Sequence, residues 1–312
     1  MFVYPNMLTT PVLLLIFNRP DTTEQLFHAI SQIQPPKIYI AADGPRLNIP
    51  GEKELCLQTK AIFEKINWDC TIKTLYREQN LGCCNAVKSA IDWFFEHEEM
   101  GIILEDDCIP TSSFFTFSEC LLNRYHSQEQ LMMIGGLSLF KNDFNYPNDY
   151  YFSSFSAIWG WASWRRAWKK MNLNVTKEDL VYFNKIQNLT IRKSYVDTLN
   201  AVIEHKINTW DVQWMLSILK NDGACINPIK NQIRNIGFTG THSEQKISLS
   251  QNLAVYDINI KKLRHPVKIE IDTTTEQKHQ LLIEQVINND HKPVSLLTRI
   301  KNKIKRTIKN RE

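Results

Sequence analysis

Three consecutive carboxylates, Glu105-Asp106-Asp107, follow the apolar run Gly101-Ile102-Ile103-Leu104 and precede Cys108-Ile109-Pro110. The run reads as a buried strand, and a proline cannot donate to a ladder, so the acids fall where that strand stops. Adjacent like charges there repel and lose water, and they persist best where a cation or a row of donors neutralises them. A hard divalent ion, Mg2+ or Mn2+, suits carboxylate oxygens and keeps sites for water or substrate phosphates. An acidic surface turn is the other reading. A second candidate lies far along the chain. Asp211 is the only carboxylate between Trp210 and Trp214, placed as a cap or first-turn acid of a helix. The stretch Trp159-Gly160-Trp161-Ala162-Ser163-Trp164 could stack on sugar rings, or it could be core.

The elements that must position these residues are legible before residue 110. Residues 12–17 read as a buried strand, and Asp21-Thr22-Thr23-Glu24 starts a helix with an N-cap and an acid three residues on. Residues 37–42 read as a second strand stopping at the turn cluster Asp43-Gly44-Pro45-Arg46. A helix over 52–66, a strand over 70–76, a loop over 77–82 and a helix over 83–98 follow, the last with Val87, Ala90, Ile91 and Phe94 inward. Alternating strands and helices imply an α/β fold with a mostly parallel central sheet flanked by helices. Ligands of such sheets sit outside the carboxyl ends of the strands. Asn18-Arg19, Asp43-Gly44, residues 77–82 and Glu105-Asp106-Asp107 all fall at that edge. Beyond Pro110 the pattern predicts helices over 114–125, 177–187 and 191–205, a helix opening at Trp210, strands over 131–136 and 229–238, and a loop over 142–151. Weak strand character at 267–271 and a helical pattern at 277–287 complete it.

Composition bounds the function. The chain has 312 residues, 43% hydrophobic and 22% charged, enough for a sizeable core. Its formal charge is +4, but residues 296–312 contribute +6, so the rest carries −2. A body of that sign argues against nucleic-acid binding. The basic residues of 296–312 alternate with Leu297, Ile300, Ile304 and Ile308, the spacing of a basic amphipathic helix. Such a helix suits an anionic membrane surface; a solvated tail or a nucleic-acid contact are the rival readings. The seven cysteines form no Cys-x-x-Cys, and with no targeting or membrane segment visible they point to reduced thiols in a cytoplasm. The expected domains are 1–245, an extension packed on it over 246–295, and the basic tail over 296–312.

The ordered set Phe17-Asn18-Arg19-Pro20, Ala42-Asp43-Gly44, Ile103-Leu104-Glu105-Asp106-Asp107, Gly160-Trp161, Trp210-Asp211, Gly223-Ala224-Cys225-Ile226-Asn227-Pro228 and Thr241-His242 resembles the inverting GT-A glycosyltransferases of the N-acetylglucosaminyltransferase I type. The resemblance covers about residues 11–245 and implies the nucleotide-diphospho-sugar transferase fold. It implies a UDP-sugar donor held by Asn18, Arg19, Asp43, Asn80, Glu105 and Asp106. Mn2+ or Mg2+ would be bound by Asp107 and His242, and Asp211 would be the catalytic base. The family often shows two adjacent acids between the tryptophans, where this chain has Asp211, Val212 and Gln213. The acceptor would be a glycan or lipid-linked saccharide. Two other classes stand beside this one: a sugar-1-phosphate nucleotidyltransferase, which needs a Gly-rich loop with a lysine that Asn18-Arg19-Pro20 does not offer, and a glycan-binding module.

Overall fold

The structure is a computed structural model and describes residues 8–237 and 253–290. The chain opens with β1 (Val12–Ile16), whose five residues are all buried, as a strand covered on both faces requires. Then come α1 (Pro20–Ile33), β2 (Lys37–Ala42), α2 (Glu52–Ala61), β3 (Thr71–Tyr76), α3 (Gly82–His97) and β4 (Met100–Glu105). After β4 follow β5 (Cys108–Pro110), α4 (Ser112–Arg124), β6 (Leu131–Gly135), β7 (Tyr150–Ser153), β8 (Trp161–Trp164) and α5 (Arg165–Trp168). The chain continues through α6 (Leu189–Ile203), α7 (Asp211–Lys220), β9 (Ala224–Pro228), β10 (Ile233–Asn235) and α8 (Thr273–Asp290).

Among the described residues, eight strands form one sheet in the order β3-β2-β1-β4-β8-β6-β9-β7. The first four are mutually parallel, β6 and β9 run the same way, and β8 and β7 run against them. The register matters for function. Ile16 lies beside Ala42, Ala42 beside Tyr76, and Leu15 beside Glu105, so the residues after β1, β2, β3 and β4 emerge along one rim. Alternate residues of β1 enter opposite cores. Leu14 packs with Ile40, Leu104 and the α4 phenylalanines, while Leu13 packs with Tyr39, Ile91, Phe94 and Trp214.

Several expectations needed correction. Helix α1 begins at Pro20, with proline in its first turn and no side-chain cap, instead of being capped at Asp21. Residues 177–185 wind as a 3-10 helix behind a Thr176/Asp179 capping box. The loop expected over 142–151 gives up its end to the edge strand β7, and the strand expected over 229–238 shrinks to β10, which pairs with β5 through Ile233 and Pro110. The tryptophan stretch is core where Trp161 and Trp164 are concerned. Both are at most 1% exposed, and Trp161 packs about 6 Å from Trp168, Trp210 and Trp214, so neither ring can stack on a sugar. No disulfide joins the cysteines of the described residues. His242 and the basic tail over 296–312 lie outside the described residues.

Residues 253–290 pack back on the sheet through polar groups. Glu276 accepts from the Ser153 and Ser154 hydroxyls and the Ser154 amide, the His279 ring meets the Tyr151 hydroxyl at 2.8 Å, and Glu284 accepts from Asn188 and Thr190.

Candidate active site

Strand β4 delivers the acids to the rim one by one. The Asp106 amide still donates to the Leu15 carbonyl at 3.0 Å, so the turn at 106–107 starts while the chain is tied to β1. Arg19, the residue just before α1, then forks across two neighbours: one guanidinium nitrogen on Asp106 and the other on Asp107 Oδ2 at 3.0 Å. The sequence placed all four of Arg19, Glu105, Asp106 and Asp107 on one edge, and the structure brings them together. Asp107 is held further by the Asn235 amide at 3.4 Å, and its carbonyl accepts from the Ile236 amide at 2.8 Å. Gly237 runs so close that a Cβ there would sit 2.0 Å from Asp107 Oδ2, so a side chain at this position would have to displace the Asp107 carboxylate.

Electrostatics follow from burial. Burial and then the Asp107 and Asp106 charges push the half-buried Glu105 carboxyl up to about 8, against the pull of Arg19. Burial likewise pushes Asp106, 2% exposed, up to about 6, with Arg19 opposing it. Burial disfavours the Arg19 charge, yet Asp106 and Asp107 together hold it above its ordinary value. Glu105 Oε1 is buried without a hydrogen-bond partner among the described residues.

These shifts set a sign. A carboxylate whose folded value is raised binds more protons folded than unfolded, so stability falls as pH rises through that value. We expect the thermal midpoint of the ligand-free protein to fall as pH climbs from about 4, both carboxyls contributing up to about 6 and Glu105 alone from there to about 8. His265 and His279, both held below 6.5 by burial, act in the opposite sense beneath that value, so the upper step is the cleaner one. Glu105→Gln should abolish it; an unchanged upper step in that variant counts against the burial argument.

A second group forms at the start of α3. Asp43, just past β2, accepts from the amides of Gly44, Leu81 and Gly82 at 2.9 to 3.2 Å and from the Asn80 side chain at 2.9 Å. Asn80 also donates to the Gly44 carbonyl, and Gly44 passes so near Gln79 that a Cβ would fall 2.4 Å from its backbone. Asp43 therefore closes the loop after β3 onto the end of β2. Burial raises its pKa, and those backbone donors lower it. Asn18 points its amide to Glu52 Oε1 at 2.8 Å, and Glu52, 1% exposed, also takes the Arg46 guanidinium and the Arg46 amide.

Asp211 opens α7, and its Oδ1 accepts the Thr209 hydroxyl. Its charge raises the Cys83 and Cys84 thiols after burial has done so, and it adds to the rise of Glu105. Asp211 thus stands on the Glu105 side of the molecule, facing the start of α3. Sequence reasoning missed Glu52, Asn208 and Asn235, the side chains that fix Asn18, α3 and Asp107; only the placement of Arg46 in a turn cluster gave a local hint. A cavity of about 480 Å3 lies two strands along the same rim, after β6, lined by Ser138, Phe140, Lys141, Asn142, Leu253 and Tyr256 among others.

The donor set suits a hard cation in part. Asp107 is a partly exposed carboxylate and Glu105 Oε1 lacks a partner, both oxygen ligands of the kind Mg2+ and Mn2+ prefer. Among the described residues no three His, Cys, Asp or Glu side chains form a metal-binding group.

No protein-family model matches the chain, and no curated protein matches it in sequence. Among solved structures it is similar to S. aureus TarS, at 11% identity and a TM-score of 0.44 over 72% of this chain and 36% of that one. A structure of S. aureus TarS 1-349 gives 11% identity and 0.43 over 72% of this chain and 59% of that one. HddC from Yersinia pseudotuberculosis gives 11% identity and 0.29 over 44% and 66%. The chain spans between about a third and three-fifths of the TarS chains it matches.

Proposed function

We propose that the protein is a metal-dependent inverting glycosyltransferase of the GT-A type. It would move GlcNAc or a related hexose from a UDP-sugar to a hydroxyl of a glycan or lipid-linked saccharide, a step of polysaccharide biosynthesis. The observation that carries this reading is the Arg19 fork on Asp106 and Asp107 at the carboxyl ends of four parallel strands, with Asp211 on the Glu105 side of that rim. With Glu105 largely neutral, Asp106 and Asp107 against one guanidinium still leave a net negative rim, which a diphosphate meets favourably only with a cation between them. Asp107 would hold Mn2+ or Mg2+, with His242 as a further ligand. Bound there, the ion would supply charge stabilisation for the departing diphosphate.

The remaining chemistry belongs to the chain. Arg19 lies where it can add its charge to the phosphate side of the donor. Glu105 and Asp106 face the donor sugar and ribose; Glu105, held largely protonated by burial, would donate as well as accept a hydrogen bond. Asp43, Asn80 and Asn18 shape the nucleoside end. Since Asp43 already accepts four donors, a uracil imide would share one of its oxygens. Asp211 keeps Oδ2 for the acceptor proton while Thr209 holds Oδ1, and attack in line opposite the diphosphate inverts the anomeric carbon.

A nucleotidyltransferase is disfavoured because the loop after β1 carries an arginine locked to acids in place of a Gly-rich cradle. No helix of the described residues is long and apolar enough to cross a membrane. We place the enzyme in the cytoplasm, held to the inner face of the cell membrane by its tail.

Thermal-shift measurement on the full chain with UDP-GlcNAc, UDP-hexoses and GDP-sugars, each with and without Mn2+, tests the reading. A UDP-sugar with Mn2+ at a hundred times its Kd should stabilise by about 2.7 kcal/mol. Stabilisation by free glycan alone would sink the enzyme reading, and so would indifference to every nucleotide sugar in the presence of Mn2+.

A further inference from the structure

We propose that Asn208 is a positioning residue that sets where Asp211 stands against the donor site, an inference that rests on Asp211 being the base. The residue at the N-cap of α3 is Leu81, whose side chain cannot accept a hydrogen bond, so the first amides of that helix need partners from elsewhere. Asp43 takes those of Leu81 and Gly82. Asn208, 124 residues further along, takes that of Cys84 with its Oδ1 at 2.7 Å.

Gly82 makes room for this. Its φ is +75°, and a Cβ there would lie 3.2 to 3.4 Å from the Asn208 amide group. The loop between α6 and α7 has no ladder of its own. Its start is tied by the Lys206 amide on the Ala201 carbonyl, and Trp210, 2% exposed, anchors its end in the core. Between the two, Asn208 is the side chain that fixes the loop sideways onto α3. Thr209 then passes that position on, with its hydroxyl on Asp211 and its carbonyl accepting from Gln213. Through Asn208 the candidate base is referred to the same helix start that Asp43 ties to the nucleotide side.

Asn208 itself is exposed, so its bond contributes little to stability, and a positional effect can be read apart from a folding effect. In Asn208→Ala, kcat should fall by about tenfold to a hundredfold, the scale of an ångström-sized misplacement, with UDP-sugar affinity and Tm as in the parent. Asn208→Asp keeps an acceptor oxygen at the same place and should recover most of the rate. Hydrogen exchange supplies a readout independent of turnover: the Cys84 amide should be protected in the parent and in Asn208→Asp, and fast in Asn208→Ala.

An Ala variant with parental kcat, a Cys84 amide indifferent to the substitution, or a loss of kcat in step with donor affinity and Tm would each overturn the role given to Asn208. A parent protein that neither binds nor turns over any UDP-sugar would overturn the reading of the site itself, and with it this role.

Discussion

Asp211→Asn is expected to lower the transfer rate at saturating donor and acceptor by about 10²- to 10⁴-fold while leaving UDP-sugar affinity as it is in the parent. The substitution is chosen because Asn keeps an oxygen where Thr209 donates, so the turn into α7 survives. What disappears is the capacity to take the proton of an attacking hydroxyl. The proposed donor site is built from the β1, β2 and β4 ends, which Asp211 does not hydrogen-bond, so binding and chemistry should separate. Single-turnover rates together with calorimetric titration of UDP-sugar measure both quantities. Transfer at the parental rate would remove Asp211 from the chemistry; loss of donor affinity alongside the rate would make it part of the donor site.

The first half of the fold was legible because its signals are local. Residues 12–16 and 37–42 are apolar runs ended by polar turns, and both became buried strands whose ends share a rim. The acid triplet was legible for the same reason: three charges directly after Leu104 can only be at a strand's end. What holds each site residue was not legible. Asn18 meets Glu52 across 34 residues, Cys84 meets Asn208 across 124, and Asp107 meets Asn235 across 128; no local pattern predicts such pairs. Glu52, where the helix over 52–66 was expected to start, is in the first turn of α2 and is also an almost fully buried hub.

The tryptophans show a different limit. Residue type alone leaves Trp161 equally fit for core or ligand, and only its place in an interior antiparallel strand, between β4 and β6, decides for core. Helix α8 was visible over part of its length because its inward face is polar. Glu276, His279 and Gln280 are buried through hydrogen bonds to the sheet and to α6, so apolar periodicity understated both its length and its docking.

Arg19→Ala should cost about 3 to 5 kcal/mol of stability near pH 8, the scale for removing one partner of a buried ion pair, and clearly less near pH 5. Asp106 is nearly inaccessible and, among the described residues, Arg19 is its only charged partner with a hydrogen bond, so the variant must either bury a lone carboxylate or protonate it. Arg19 at present lowers the Asp106 value to about 6 against burial; without it the value climbs. Below that value the carboxyl is neutral and needs no counter-charge, so the penalty shrinks; above it the variant pays for deprotonation and the penalty grows. Arg19→Lys should fall between parent and Ala, since an ammonium can satisfy one acid but cannot fork across Asp106 and Asp107. Denaturant unfolding of the three proteins at both pH values measures the difference. A penalty independent of pH would mean that Arg19 acts through packing alone, and the charge logic of the rim, on which the proposed binding of a cation and a diphosphate rests, would fail with it.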